Sequence, residues 1–262
     1  MSIYLHELKR SKLSLLIWSA VIAFMLAVSI LLYPLMKQSM EQLNEAFMGM
    51  GDFSTALGVG ELGIADFLGY FALECGDVLG LGGAIFAALT GIAALSREES
   101  DHTAEFLLSH PVKRTHIVFE KLLAVYTQIL IFNIASLILT VACTAAIGEK
   151  PDYGKLMLVM LAYLLMHLEI ASICFGLSAF MKGRGFGIGI GLALLLYFVF
   201  IISNITEKTE FLHWLTPFSY TNGSDIIKNG ALELKYLAVG LAASAAAVIC
   251  AFIKYSRKDI AG

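Results

Sequence analysis

Six long runs of the chain are free, or nearly free, of formal charge. Residues 13–36, 78–96, 122–148, 185–206 and 236–253 hold no Asp, Glu, Lys or Arg, and 156–181 holds only Glu169. Apolar positions in these runs are continuous and do not alternate with polar ones, which excludes the strands of a membrane barrel. A hydrocarbon core of about 30 Å takes about 20 helical residues, and a helix satisfies its own backbone there. The pattern predicts an all-α polytopic membrane protein with six transmembrane helices, over about 13-36, 76-96, 117-147, 156-181, 185-205 and 235-254. No connecting segment is long enough for a soluble domain, so residues 1-262 read as a single transmembrane domain.

The segments between the runs carry weaker signals. Tyr4, Leu5 and Leu8 follow Met1 at helical spacing, with His6, Lys9 and Arg10 off that face. This predicts an N-terminal interfacial helix ahead of the first span. "IADFLGYFALECGDVLG" is apolar enough to lie on, or dip into, the outer leaflet, and Asp77 reads as interfacial at the outer start of the second span. Pro217 and "TNG" break the last outer segment into two short helical pieces. Its Trp214, Phe218 and Tyr220 suit the headgroup level.

Composition agrees with the pattern, and charge adds direction. The chain is 58% hydrophobic and 15% charged, against roughly 25% charged in a soluble domain. With the N-terminus inside, Lys9, Arg10, Lys12, Arg97, Lys113, Arg114, Lys121, Lys182, Arg184, Lys254, Arg257 and Lys258 all fall on the inner side. Lys37, Lys150, Lys155, Lys208, Lys228 and Lys235 fall outside. Both termini are therefore expected in the cytoplasm. The net charge of −3 gives no reason to expect nucleic acid as a partner. Cys75, Cys143, Cys174 and Cys250 lie in or beside the spans without metal-ligand spacing, so no metal site is expected.

Few residues offer chemistry. "GRGFGIGIG" lacks the order and the strand–turn–helix setting of a dinucleotide loop. Its Gly183, Gly187 and Gly191 instead form a small-residue ladder, as do Gly83, Ala87 and Gly91 in the second span. Such ladders let membrane helices approach closely, within one chain or across a dimer seam. No G-x-x-x-x-G-K-[ST] occurs, so ATP hydrolysis by that route is excluded. "MHLEIAS" sets His167 and Glu169 within one span, two residues apart. They point to different sides of a helix, so a zinc-peptidase pair is excluded. A carboxylate inside a span needs a partner or a polar path. A substrate pathway and a structural hydrogen bond both stay open for Glu169.

The most densely charged long stretch is "SREESDHTAEFLLSHPVKRTHI", residues 96–117. Asp101 can cap a short helix, and Pro111 disfavours helix at His110. Phe106, Leu107 and Leu108 then present an apolar surface between acids and Lys113–Arg114. On the residues alone this is either a docking surface or an interfacial loop dipping into lipid.

The same stretch, read as "REESDHTAEFLLSHPVKRTHIVFEK", resembles the hallmark segment of ABC-2 type transporter permeases. Glu98 and Glu99 match the family's acidic pair. Glu105, Leu107, Leu108, Ser109, Pro111, Val112, Arg114 and Lys121 match the pattern that follows. Asp101–His102–Thr103 departs from it where many relatives have a glycine-threonine pair. "TPFSY" and "YSRKDIAG" also resemble family endings, and the likeness covers nearly the whole chain.

The resemblance implies the transmembrane subunit of an ATP-binding-cassette exporter, in a prokaryotic plasma membrane. It implies a second permease chain, identical or paralogous, and separate ABC ATPase subunits that bind ATP and Mg. A short cytoplasmic coupling helix between the second and third spans would engage the ATPase through Glu98, Glu99, Asp101, Glu105, Phe106, Leu107, Leu108, Ser109, Pro111 and Arg114. The chain itself would be no enzyme, and only the assembled complex an ATPase-driven translocase. The alternative is an ATP-independent channel or a proton- or ion-coupled secondary transporter that uses Glu169.

Overall fold

The computed structural model describes residues 2–48, 66–100, 113–183, 185–205 and 207–257, and among these every regular element is helical. Six helices are long and apolar enough to cross a membrane. The first, α1, runs unbroken over Ile3–Met48. Its candidate span Ile3–Lys37 has 35 residues and is about 50 Å long at 1.5 Å per residue. The hydrocarbon core is about 30 Å, so the polar opening turns extend beyond it. The residues expected as a separate interfacial helix thus form the first turns of α1. Nothing in "IYLHELKRSK" breaks a helix.

The second helix, α2, covers Phe67–Ile92 and starts well before its expected position. Asp66 caps it, its carboxylate accepting the Leu68 N–H at 3.3 Å. A π-helical turn over Phe71–Cys75 absorbs one register step, and the α-helix resumes at Gly76. The segment expected to skim the outer leaflet therefore forms the first turns of a candidate spanning helix, which includes Asp77. A short helix, α3 (Arg97–Ser100), follows.

Next come α4 (Arg114–Ala146), α5 (Tyr153–Ser178) and α6 (Phe186–Ser203). Gly148 takes φ +76° just after α4, and Gly185 takes φ +60° before α6; these turns need a residue without Cβ. Asp152 caps α5 by accepting the N–H groups of Gly154 and Lys155. Two 3-10 turns, Glu207–Leu215 and Pro217–Thr221, lead into α7 (Gly223–Asn229) and the last span, α8 (Leu234–Arg257).

The helix order in space is set by α5, which packs on α2 and α8, while α1 packs on α4 and α6 on α2. The small-residue ladder of α2 faces α5: a Cβ on Gly83 would run into the His167 ring, and one on Gly91 into the Ala171 carbonyl. Ala87 is fully buried. The second ladder differs. Gly183 precedes α6, and a Cβ at Gly183, Gly187 or Gly191 would meet nothing among the described residues. The close approach on α6 is made by Gly189, packed against Ile92 and the Ala88 carbonyl.

Polarity is inverted relative to a soluble bundle. On α4 the buried face carries Lys121, Gln128, Asn133, Ser136, Thr140 and Thr144, while Phe119, Ile134 and Ile138 are exposed. Several of these buried polar groups bond back to their own helix, as Gln128 does to the Ala124 carbonyl and Asn133 to the Ile129 carbonyl. On α1, Leu13, Leu16, Phe24 and Leu35 face outward. Lipid accepts these apolar faces, so the interior is free to hold polar contacts.

Candidate functional site

The charged segment expected to carry the docking function leaves α2 and returns into α4. Residues 101–112, and with them Asp101, Glu105, Phe106, Leu107, Leu108, Ser109 and Pro111, lie outside the described residues, as do the Glu98 and Glu99 side chains. The two roots are described. Arg97 opens α3, and Arg114 opens α4 behind the extended Lys113.

A buried ionic knot joins these roots. Lys121, about two turns into α4, is 1% exposed. Its ammonium donates to the Glu7 carboxylate at 2.7 Å and to the Ala94 carbonyl at 2.9 Å. The guanidinium of Arg97 stands 3.8 Å from the other Glu7 oxygen. One lysine thus ties the start of α1, the end of α2 and the start of α4. The carbonyl it takes belongs to the turn that closes α2, where helix carbonyls lack intrahelical donors.

Two further contacts run beside the knot. The Glu120 carboxylate accepts the Tyr4 N–H at 3.0 Å and pairs with His116 at 3.1 Å. The Tyr4 and Thr127 hydroxyls are 3.2 Å apart. The inward face of early α1 is therefore Tyr4, Glu7 and Ser11, a polar one, while Leu5 faces out. A cavity of about 300 Å³ adjoins the knot, with Glu7, Arg97, Lys121, Gln128 and Phe186 in its wall.

Farther along the bundle, His167 and Glu169 diverge as their spacing requires. The His167 Nδ1 lies 3.1 Å from the Asn133 side-chain oxygen, and its Nε2 lies 3.2 Å from the Leu79 carbonyl. Glu169 turns toward α8, where it presses against Gly240, and accepts the Tyr220 hydroxyl at 2.9 Å. Tyr220 comes from the "TPFSY" turn, held by Thr216, whose hydroxyl donates to the Leu196 carbonyl at 2.8 Å. So Tyr220 is buried among the helices. Glu169 lines neither this cavity nor the smaller one near Asp77.

Sequence reasoning named Lys121 and Arg97 but passed over Glu7. The available signal was polar: Tyr4, Glu7 and Ser11 fall at i, i+3 and i+7 of one helix.

An all-helical chain with six apolar spans, outward apolar faces and a buried ionic knot at the root of its charged segment is a polytopic membrane protein. The family model described as ABC-2 family transporter protein matches residues 1–260, and the chain belongs to that family. Comparison with curated proteins gives no match. Membership makes the chain an ABC transporter permease and a multi-pass membrane protein, with an ABC ATPase as the implied partner.

Proposed function

We propose that the chain is the membrane subunit of an ABC exporter, paired with a second permease chain and driven by separate ATPase subunits gripping residues 97–114. ATP and Mg would be held by those ATPases. Both termini and the gripped segment would face the cytoplasm, as the lysine and arginine distribution asks. In this reading the acids Glu98, Glu99, Asp101 and Glu105 and the cation Arg114 meet charges on the ATPase. Phe106, Leu107 and Leu108 fill an apolar groove there, flanked by Ser109 and Pro111.

The observation that carries the proposal is the knot at Lys121. A force applied to the segment meets Ala94 and Arg97 on one side and α4 on the other, and Lys121 joins them to Glu7 of α1. Motion of the segment is thereby shared among three spans and not dissipated in a hinge. Glu169 then serves as a structural hydrogen-bond acceptor that seats the Tyr220 turn against α5 and α8. A proton- or ion-coupled transporter would ask Glu169 to face a path; the hydrogen bond and the packing against Gly240 favour the exporter.

The test is to change Glu98, Glu99 and Phe106 singly and follow transport and coupled ATP hydrolysis in membranes. The proposal expects both to fall with insertion intact. Unchanged transport contradicts it.

A further inference from the structure

A second cavity lies about 25 Å along α2 from Ala94, at 1.5 Å per helical residue, with a volume of about 50 Å³. Its wall combines one carboxylate, Asp77, with four aromatic rings: Tyr163 of α5, Tyr197 and Phe200 of α6, and Phe218 of the Pro217–Thr221 turn. The rings brace one another. Tyr197 stands edge-on to Phe218 with centroids 5.4 Å apart, and Phe200 stacks on Phe218 at 6.2 Å. Glycines make the room: a Cβ on Gly76 would lie 2.7 Å from the Tyr163 hydroxyl, and one on Gly80 would lie 3.2 Å from its ring.

Two polar groups here are not used up by the fold. Asp77 is exposed and accepts the Tyr197 hydroxyl at 3.1 Å, and among the described residues no Lys or Arg lines the cavity. Tyr163 is only 4% exposed, yet its hydroxyl has no hydrogen bond among the described residues and borders the cavity. A carboxylate inside a span is costly without a counter-charge. Aromatic faces attract cations, most strongly where water is excluded.

We propose that this pocket binds a compact organic cation, an ammonium head on a small apolar body. The ammonium N–H groups would donate to the Asp77 carboxylate and the Tyr163 hydroxyl. The alkyl part would lie against Tyr197, Phe200 and Phe218. The site is argued from its own geometry and stands whether or not an ATPase drives the chain.

Calorimetry on the purified chain in lipid nanodiscs tests it, with methylammonium and methanol, small enough for a cavity of about 50 Å³, as a charged and neutral pair of equal size. The ammonium should bind at least about tenfold more tightly than the alcohol, the scale of a cation–π contact joined to a charge contact. Asp77→Asn, which keeps the shape and an acceptor for Tyr197, should erase that preference. Phe218→Leu should weaken the ammonium and leave the alcohol little changed. Equal binding of the two probes, no ammonium binding at tens of millimolar, or a preference that survives Asp77→Asn overturns the proposal. The wild-type comparison decides by itself if a variant fails to fold.

Discussion

Lys121 and Glu7 form the contact on which the proposed coupling rests, and their burial makes the pair testable. Their side chains are 1% and 10% exposed. Removing one partner of a buried ion pair costs about 3–5 kcal/mol where the other charge is left uncompensated, whereas replacing both is far milder. Lys121→Met leaves Glu7 with Arg97 at 3.8 Å, so it should lower the melting temperature of the detergent-solubilised chain by less than that full cost. Combining it with Glu7→Gln should recover most of the loss. Additive losses in the double variant would mean that the two residues act separately. Lys121 could be picked from the sequence by its match to the family segment, whereas Glu7 was marked only by its place on a polar helical line with Tyr4 and Ser11. Reading the N-terminus for an apolar face selects Tyr4, Leu5 and Leu8, because in water such a face turns inward. Here Leu5 is left exposed, and the polar line through Glu7 and Ser11 turns inward instead.

At the scale of elements, the two glycine ladders look alike as sequence and differ in place. Gly91 sits against the Ala171 carbonyl and Cys174 on α5, while Gly187 and Gly191 face away from the described chain. Gly91→Val should overpack the α2–α5 contact and cost about 1–3 kcal/mol, seen as a lower melting temperature of the isolated chain. Gly187→Val should leave that temperature unchanged. If α6 forms the seam with the second permease chain, it should also abolish dimers in a cross-linking assay. Spacing alone cannot separate the ladders, since it fixes which residues share a face but not what that face meets. The start of α2 was hidden for a related reason. The π turn over Phe71–Cys75 shifts the register, so a helix with Glu74 and Asp77 inside it reads as an interfacial segment followed by a span.

The 3-10 turn Glu207–Leu215 carries a titratable element of its own. Its His213 Nδ1 lies 3.1 Å from the Ser219 hydroxyl and 3.3 Å from that of Ser203. Burial holds His213 below its ordinary pKa. The folded state then binds a proton less readily than the unfolded state. Its stabilisation is complete above the unfolded value of about 6.5 and is lost as pH falls below it. A melting temperature that drops from pH 7 to pH 5.5, with a flatter profile in His213→Gln, is the expected result.

For the molecule as a whole, the number of spans was legible because the cost of charge and unpaired backbone in hydrocarbon leaves long uncharged runs. What the spans enclose was less legible. His167 between Asn133 and Leu79, Glu169 against Tyr220 and the aromatic pocket at Asp77 all depend on which helices neighbour α5, and composition does not encode that. The family assignment over residues 1–260 joins this architecture to ABC transport, and the knot at Lys121 ties both roots of the charged segment to α1. The most direct measurement is to recover the tagged chain from native membranes in mild detergent and identify what comes with it. The account predicts a P-loop ATPase that is retained by the unaltered chain and lost when Glu98, Glu99 and Phe106 are changed together. An unaltered chain recovered without any ATPase, in a detergent that preserves such complexes, would contradict it.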